Sequence, residues 1–207
     1  MIVLDKVTKR IGEKVIFDNL CLKINQGDMV AITGMSGSGK TTLLNCIGQL
    51  EKIDSGHITI FGENYTYKNR RRFLKEIAGF LFQNYALMDN ETVFENLKLV
   101  SKDREKIEKL LKEFGLKKEM LNKKVYHLSG GEQQRIALVR LLLKKPRLVL
   151  ADEPTASLDS INGSVVIERL KQLNKEGVTV IVVTHDQSIL NHFKTVIDLD
   201  DLRCSLA

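Results

Sequence analysis

Apolar residues follow two rhythms along this chain. Residues 29–33, 148–151 and 178–183 are short and almost unbroken apolar runs, the pattern of strands buried on both faces. Residues 2–4, 15–17, 20–24, 58–61 and 196–199 predict further strands, another short strand ends near Phe82, and turns are expected at 25–28 and at Asp54-Ser55-Gly56. Helical spacing takes over after Thr41 (Leu43, Leu44, Ile47), and again at Val165, Val166, Leu170 and Leu173. From about residue 93 to 143 the helical pattern dominates, clearest at Ile107, Leu110, Leu111 and Phe114, with Gly115 placed to end that helix. Strand and helix alternate again in the last third, which implies a parallel sheet covered by helices. The expected architecture is α/β, with a mainly parallel sheet, an antiparallel β subdomain from about 1–28 and 57–62, and an inserted α-helical subdomain over about 84–144.

Composition narrows this picture. The chain has 207 residues, 43% hydrophobic and 28% charged, which suits one globular domain and excludes a disordered or fibrous class. No apolar run approaches the roughly 20 residues needed to cross a bilayer, and the amino terminus lacks a basic region followed by a long apolar stretch. A cytoplasmic protein is expected. Cys21, Cys46 and Cys204 are isolated and odd in number, which fits a reducing compartment and not a disulfide framework. The net charge of +6 is spread over many Lys-rich helix faces, so no nucleic-acid partner is expected. Its one compact cluster, Arg70-Arg71-Arg72, reads as a solvated helix face.

The chemistry begins with Gly34-Met35-Ser36-Gly37-Ser38-Gly39-Lys40-Thr41, followed by Thr42. This is the P-loop pattern in its strand-to-helix context. Glycines let successive N–H groups turn inward around phosphates, and the following helix points its positive end at them. Lys40 would reach the β and γ phosphates, and Thr41 would ligate Mg²⁺. The run 148–151 delivers Asp152 and Glu153 to the carboxyl end of a strand, where open α/β sheets bind ligands. There Asp152 can help hold Mg²⁺, and Glu153 can take a proton from the attacking water. An acidic pair at a strand end is weak evidence alone, but the P-loop in the same chain gives it a purpose.

Leu128-Ser129-Gly130-Gly131-Glu132-Gln133-Gln134-Arg135 decides between P-loop classes. The residues read as a Ser-capped helix start with exposed N–H groups, and they resemble the signature motif of ABC ATPases. Further stations of that family follow in order over almost the whole chain. Gln83 resembles its Q-loop glutamine, a contact to Mg²⁺ or water. Ser157-Leu158-Asp159 resembles its D-loop at the dimer interface, and His185 its switch histidine at the γ-phosphate. Counting back from the P-loop places Ile11 where the family stacks an aromatic residue on adenine, a departure that leaves dispersion without a π face. His57, His127 and His192 match no station and suggest no metal site.

The resemblance implies a P-loop NTPase core that binds ATP and Mg²⁺ and dimerises around two ATP molecules. Each would lie between one P-loop and the partner's Ser129, Gly130 and Gly131. It implies a transmembrane permease partner, which would hold the chain at the inner face of the membrane. Residues 82–93 and the Glu-Gln-Gln-Arg signature resemble the group serving lipoprotein release, macrolide efflux, antimicrobial-peptide resistance and bacteriocin export, the last branch most. A P-loop small-molecule kinase would lack the signature segment. A DNA-repair ATPase of the same superfamily would carry long coiled coils or zinc modules, which this sequence does not show. A regulatory or force-transmitting ATPase would share every motif, so the sequence leaves that alternative open.

Overall fold

The computed structural model describes residues 1–156, Leu158 and residues 160–204. Two of the D-loop positions, Ser157 and Asp159, lie outside the described residues. The chain opens with β1 (Ile2–Ile11), β2 (Lys14–Ile24), β3 (Met29–Thr33), α1 (Lys40–Ile47), β4 (Ser55–Ile60), β5 (Glu63–Asn64), α2 (Arg70–Glu76) and β6 (Ala78–Leu81). It continues through α3 (Val93–Lys98), α4 (Arg104–Glu113), α5 (Gly130–Lys144), β7 (Leu148–Asp152), α6 (Ser160–Lys175), β8 (Thr179–Val183), β9 (Thr195–Asp198) and α7 (Leu199–Cys204).

Five strands form a parallel sheet in the order β6-β7-β8-β3-β9. Its central strands are apolar at nearly every position because both faces are covered. Alternate side chains feed two cores. Val30, Ile32, Leu148, Leu150, Ile181 and Val183 pack with α1, α2 and the antiparallel sheet β2-β1-β4-β5. Ala31, Val149, Ala151, Val180 and Val182 pack on the other side with apolar residues of α3, α4, α5 and α6. The carboxyl ends of β3 and β7 therefore emerge between two packed layers, which fixes the loops that follow them.

Side-chain caps define the helical stretch. Thr92, Asp103 and Ser129 each accept the backbone N–H three residues on, satisfying donors that a helix start leaves open. Gly115 turns left-handed (φ 67) just past α4, as expected. The triple arginine lies on α2, where Arg72 pairs with Glu63 and Glu76 and Arg70 lies over the Tyr67 ring. Among the described residues no helix is long and apolar enough to cross a membrane.

Three sequence expectations are corrected. The predicted strands 15–17 and 20–24 are one strand, β2, because the polar pair between them is absorbed by a bulge. Asn19 is left-handed (φ 47), its N–H donates to the Thr8 hydroxyl, and that hydroxyl donates to the Asp18 carboxylate at 2.8 Å. Asp54-Ser55-Gly56 does not turn the chain as a unit, since Ser55 and Gly56 already belong to β4. Gly56 (φ +87) is needed for a close approach: a Cβ there would lie 2.3 Å from the Lys6 carbonyl oxygen. The last strand stops at Asp198, whose carboxylate accepts the Asp200 N–H, and Leu199 opens α7 instead of continuing the strand.

Candidate functional site

The loop between β3 and α1 turns on Gly34, Gly37 and Gly39, with φ of 142, 77 and 98, a region that other residues enter at a cost. Gly39 is the N-cap of α1 and no side chain caps that helix start, so its first N–H groups are directed at the loop. Ser36 and Gly37 are exposed, while Ser38 and Lys40 are buried. The Lys40 ammonium folds back to donate to the carbonyls of Gly34 (2.8 Å) and Met35 (2.9 Å). The result is a Gly-rich turn beside a helix start, with the Lys40 ammonium folded against its carbonyls, an arrangement suited to a polyphosphate.

Thr41 and Thr42 follow Lys40 in the first turn of α1. The Thr41 hydroxyl donates to the Asp152 carboxylate at 3.0 Å, joining the P-loop helix to the end of β7. Burial pushes the Asp152 carboxyl above its ordinary value, the neighbouring Glu153 charge adds to this, and the Thr41 bond and Lys40 oppose it. A carboxylate poised against its own surroundings is favourable for a cation. Gln83, just past β6, is exposed and lines one cleft with Thr41, Asn45, Gln133 and Asp152. The structure thus brings together the three expected Mg²⁺ positions, Thr41, Gln83 and Asp152, as hydroxyl, amide and carboxylate oxygens. Such hard ligands fit Mg²⁺, which takes few protein ligands beside phosphate and water.

Glu153 follows immediately in a left-handed conformation (φ 45), with its N–H donating to the Val183 carbonyl at the end of β8. Its carboxylate is gripped by the next segment. One oxygen accepts the His185 N–H at 3.0 Å and lies 2.6 Å from His185 Nδ1, and the other accepts the Thr184 hydroxyl at 3.0 Å. The Glu153 side chain is only 13% accessible while that of His185 is 69% accessible. A mostly buried carboxylate is thus held beside the end of β8, with an exposed imidazole lying against it.

Ser129 caps α5 through a reciprocal box with Glu132. Its N–H and hydroxyl both donate to the Glu132 carboxylate (2.8 and 3.0 Å), which holds that carboxyl below its ordinary value. Ser129 and Gly130 are exposed and do not line the cleft that holds Thr41, nor does Gly131. Of the signature residues Gln133 reaches that cleft, while the helix start at Ser129, Gly130 and Gly131 stays outside it. Ile11 lies at the end of β1 and is 52% exposed, outside the network that ties Lys40, Thr41, Asp152 and Glu153.

Two contacts at the site escape sequence reasoning. Asp200 of α7 accepts the Met35 N–H at 2.8 Å, and the buried Gln134 donates to the Pro154 carbonyl at 2.9 Å. Asp200 is an acid in a C-terminal acidic pair, with no local signal pointing to the loop. Gln134 is embedded in the signature, where its neighbours draw attention.

A parallel sheet whose strand feeds a Gly-Lys-Thr loop into a helix, beside an acidic strand end, defines a P-loop nucleotide-binding protein. The family described as ABC transporter matches residues 17–156. The chain is 40% identical over 212 aligned positions to the macrolide export ATP-binding/permease protein MacB of Campylobacter jejuni, covering 97% of this chain and 33% of that protein. It is 39% identical to MJ1508, an uncharacterised ABC transporter ATP-binding protein of Methanocaldococcus jannaschii, over 88% of this chain and 86% of that one. The dimeric, post-hydrolysis structure of the ATP-binding cassette MJ0796 bound to ADP and Pi superposes with a TM-score of 0.85 at 35% identity, over 96% of this chain and 94% of that one. The chain belongs to the ABC transporter family and is an ATPase domain of it. It spans about a third of the length of the macrolide-export proteins it matches.

Proposed function

We propose that this chain hydrolyses ATP as one half of a dimer, closing around two ATP molecules and so driving a membrane permease that exports a lipophilic or peptide substrate. The observation that supports this is the junction of Lys40, Thr41, Asp152 and Glu153 at the ends of β3 and β7, where a Gly-rich loop, a hydroxyl–carboxylate pair and a second carboxylate lie side by side. The exposed start of α5, unpaired with its own P-loop, supports completion of the site by a second chain. The dimeric MJ0796 structures support the same geometry, and the MacB likeness favours efflux of lipophilic molecules over the bacteriocin branch of that group. Attachment to the permease would hold the chain at the inner face of the membrane, with residues 84–144 as the unit that meets it.

Residue roles follow from position. N–H groups of the loop, from Gly34 and Ser36 through Gly37, Ser38 and Gly39 to Lys40, Thr41 and Thr42, would surround the phosphates, and the Lys40 ammonium would exchange its two carbonyls for phosphate oxygens. Mg²⁺, when bound, neutralises charge on the phosphates. Thr41, Asp152 and Gln83 would hold it. Glu153 accepts the proton of the attacking water at its carboxylate, and the exposed His185 ring reaches toward the γ-phosphate. Ser129, Gly130 and Gly131 would offer the partner's ATP a helix N-terminus, and the resemblance implies a place for Asp159 at the interface. Ile11 covers the base.

Cysteines at Ser36 and Ser129 test the dimer. In chains with Cys21 and Cys204 replaced by Ser, buried Cys46 is unreactive because burial pushes its thiol up to about 12. ATP should produce a disulfide-linked dimer when chains carrying Ser36→Cys and Ser129→Cys are mixed. The proposal fails if ATP binds to both chains and no crosslink forms.

A further inference from the structure

The segment after Gln83 is fastened more firmly than ATP chemistry requires. Tyr85 and Ala86 are both left-handed (φ 61 and 46), a conformation that such residues keep only where their surroundings impose it. Arg140 of α5 imposes it: its Nη1 donates to the Ala86 carbonyl at 2.6 Å and its Nη2 to the Tyr85 carbonyl at 2.8 Å. Nearby, the fully buried Asn96 of α3 accepts the Met88 N–H at 2.7 Å and donates to the Met88 carbonyl at 3.1 Å. Residues 85–88 are thereby pinned at both ends.

Arg140 is an unusual choice for this place. Burial lowers its guanidinium from the ordinary value, and among the described residues it has no carboxylate within ion-pairing distance. A partly desolvated cation without a counter-ion is unfavourable, and an apolar side chain would pack there at less cost. What the guanidinium adds is a rigid fork that fixes two consecutive carbonyls. Tyr85 also reaches the other end of α5, since a methyl group on Gly130 would lie 3.5 Å from its hydroxyl. The same helix is tied by Gln134 to the Pro154 carbonyl, directly after Glu153.

We propose that Arg140 is a positioning residue that locks the Gln83 segment to the signature helix, so that the two move as one body when nucleotide binds and carry that motion to the surface at residues 85–88. The inference rests on the ATPase reading above and extends it to the route by which the site communicates with its partner. Among the described residues Arg140 makes no hydrogen bond to Lys40, Thr41, Gln83, Asp152 or Glu153.

The chain contains no tryptophan, so Asn84→Trp, on the exposed segment, supplies a single emission signal. With Arg140 intact, ATP and Mg²⁺ should change that emission. Arg140→Leu should bind ATP within about threefold of the intact chain, lose the emission change, and turn over about 10-fold more slowly at unchanged KM. Arg140→Lys, which can reach one carbonyl but not span both, should give an intermediate response. A folded Arg140→Leu chain with the full emission change and kcat within about twofold overturns the proposal. Should Arg140→Leu fail to fold by circular dichroism, Arg140→Lys decides: a weakened response supports the lock and a full one overturns it. If the Arg140-intact chain binds and hydrolyses ATP but its emission never changes, the lock is wrong and the ATPase reading stands. If that chain binds no ATP at all, the reading fails and the lock with it.

Discussion

Glu153→Gln separates catalysis from fold at the centre of the site. The amide oxygen can keep the bond from the His185 N–H, now 3.0 Å, and the amide nitrogen would face the Thr184 hydroxyl, also at 3.0 Å, which can rotate to accept. Charge-assisted bonds become neutral ones, so stability should fall by about 1 kcal/mol. Hydrolysis loses its proton acceptor, and turnover should fall by about 10²-fold or more. A 10²-fold loss corresponds to about 2.7 kcal/mol in the barrier, larger than the loss in stability. ATP affinity should stay within about threefold, because the phosphate donors belong to the P-loop and not to this side chain. Single-turnover hydrolysis, equilibrium ATP binding and denaturant titration together give the three numbers, and sedimentation gives the assembly state. The variant should accumulate as an ATP-bound dimer. Near-normal turnover by a folded, ATP-binding Glu153→Gln chain would refute Glu153 as the base.

Two further outcomes are expected. Ile11→Tyr should tighten ATP binding more than GTP binding, with a stacking gain on the order of 1 kcal/mol; equal changes for both nucleotides in a binding titration would place the base away from Ile11. Glu132→Ala should lower the unfolding free energy by about 1 kcal/mol through loss of the Ser129 box. Because the Ser129 N–H holds the Glu132 carboxyl below its ordinary 4.5, that contribution is full above 4.5 and is lost as pH falls through the lowered value. Denaturant titrations of both chains should therefore converge in acid, and a gap that persists there would contradict the assignment.

The chemistry that runs along the chain was legible before the fold. Lys40 and Thr41 sit in one short motif, Asp152 and Glu153 follow one apolar run, and Ser129 caps a helix by a rule spanning three residues. Contacts made across the fold were not legible. Asp200 meets Met35 from far along the sequence, and Arg140 reaches Tyr85 and Ala86 through a half-buried cation that looks, in sequence, like one more basic residue on a helix. The split of β2 failed for a different reason. Asp18 and Asn19 carry turn chemistry, and only pairing with Thr8 across the sheet converts a turn signal into a bulge. Likewise Gly56 signals a turn locally, whereas the structure uses it for the approach of Lys6.

The central claim is that each ATP site is built from two chains, and complementation between two inactive chains tests it most directly. Lys40→Ala removes the cation from the P-loop, and Gly131→Asp places a side chain and a negative charge at the start of α5, where the helix favours an anion from outside. Each variant alone should be nearly inactive. In a mixed dimer one site carries both lesions, while the other joins an intact P-loop to an intact partner α5. ATP hydrolysis by the mixture should therefore rise well above the sum of the two separate variants. Mixed dimers that are shown to form and to bind ATP, yet hydrolyse no more than that sum, would contradict the shared site.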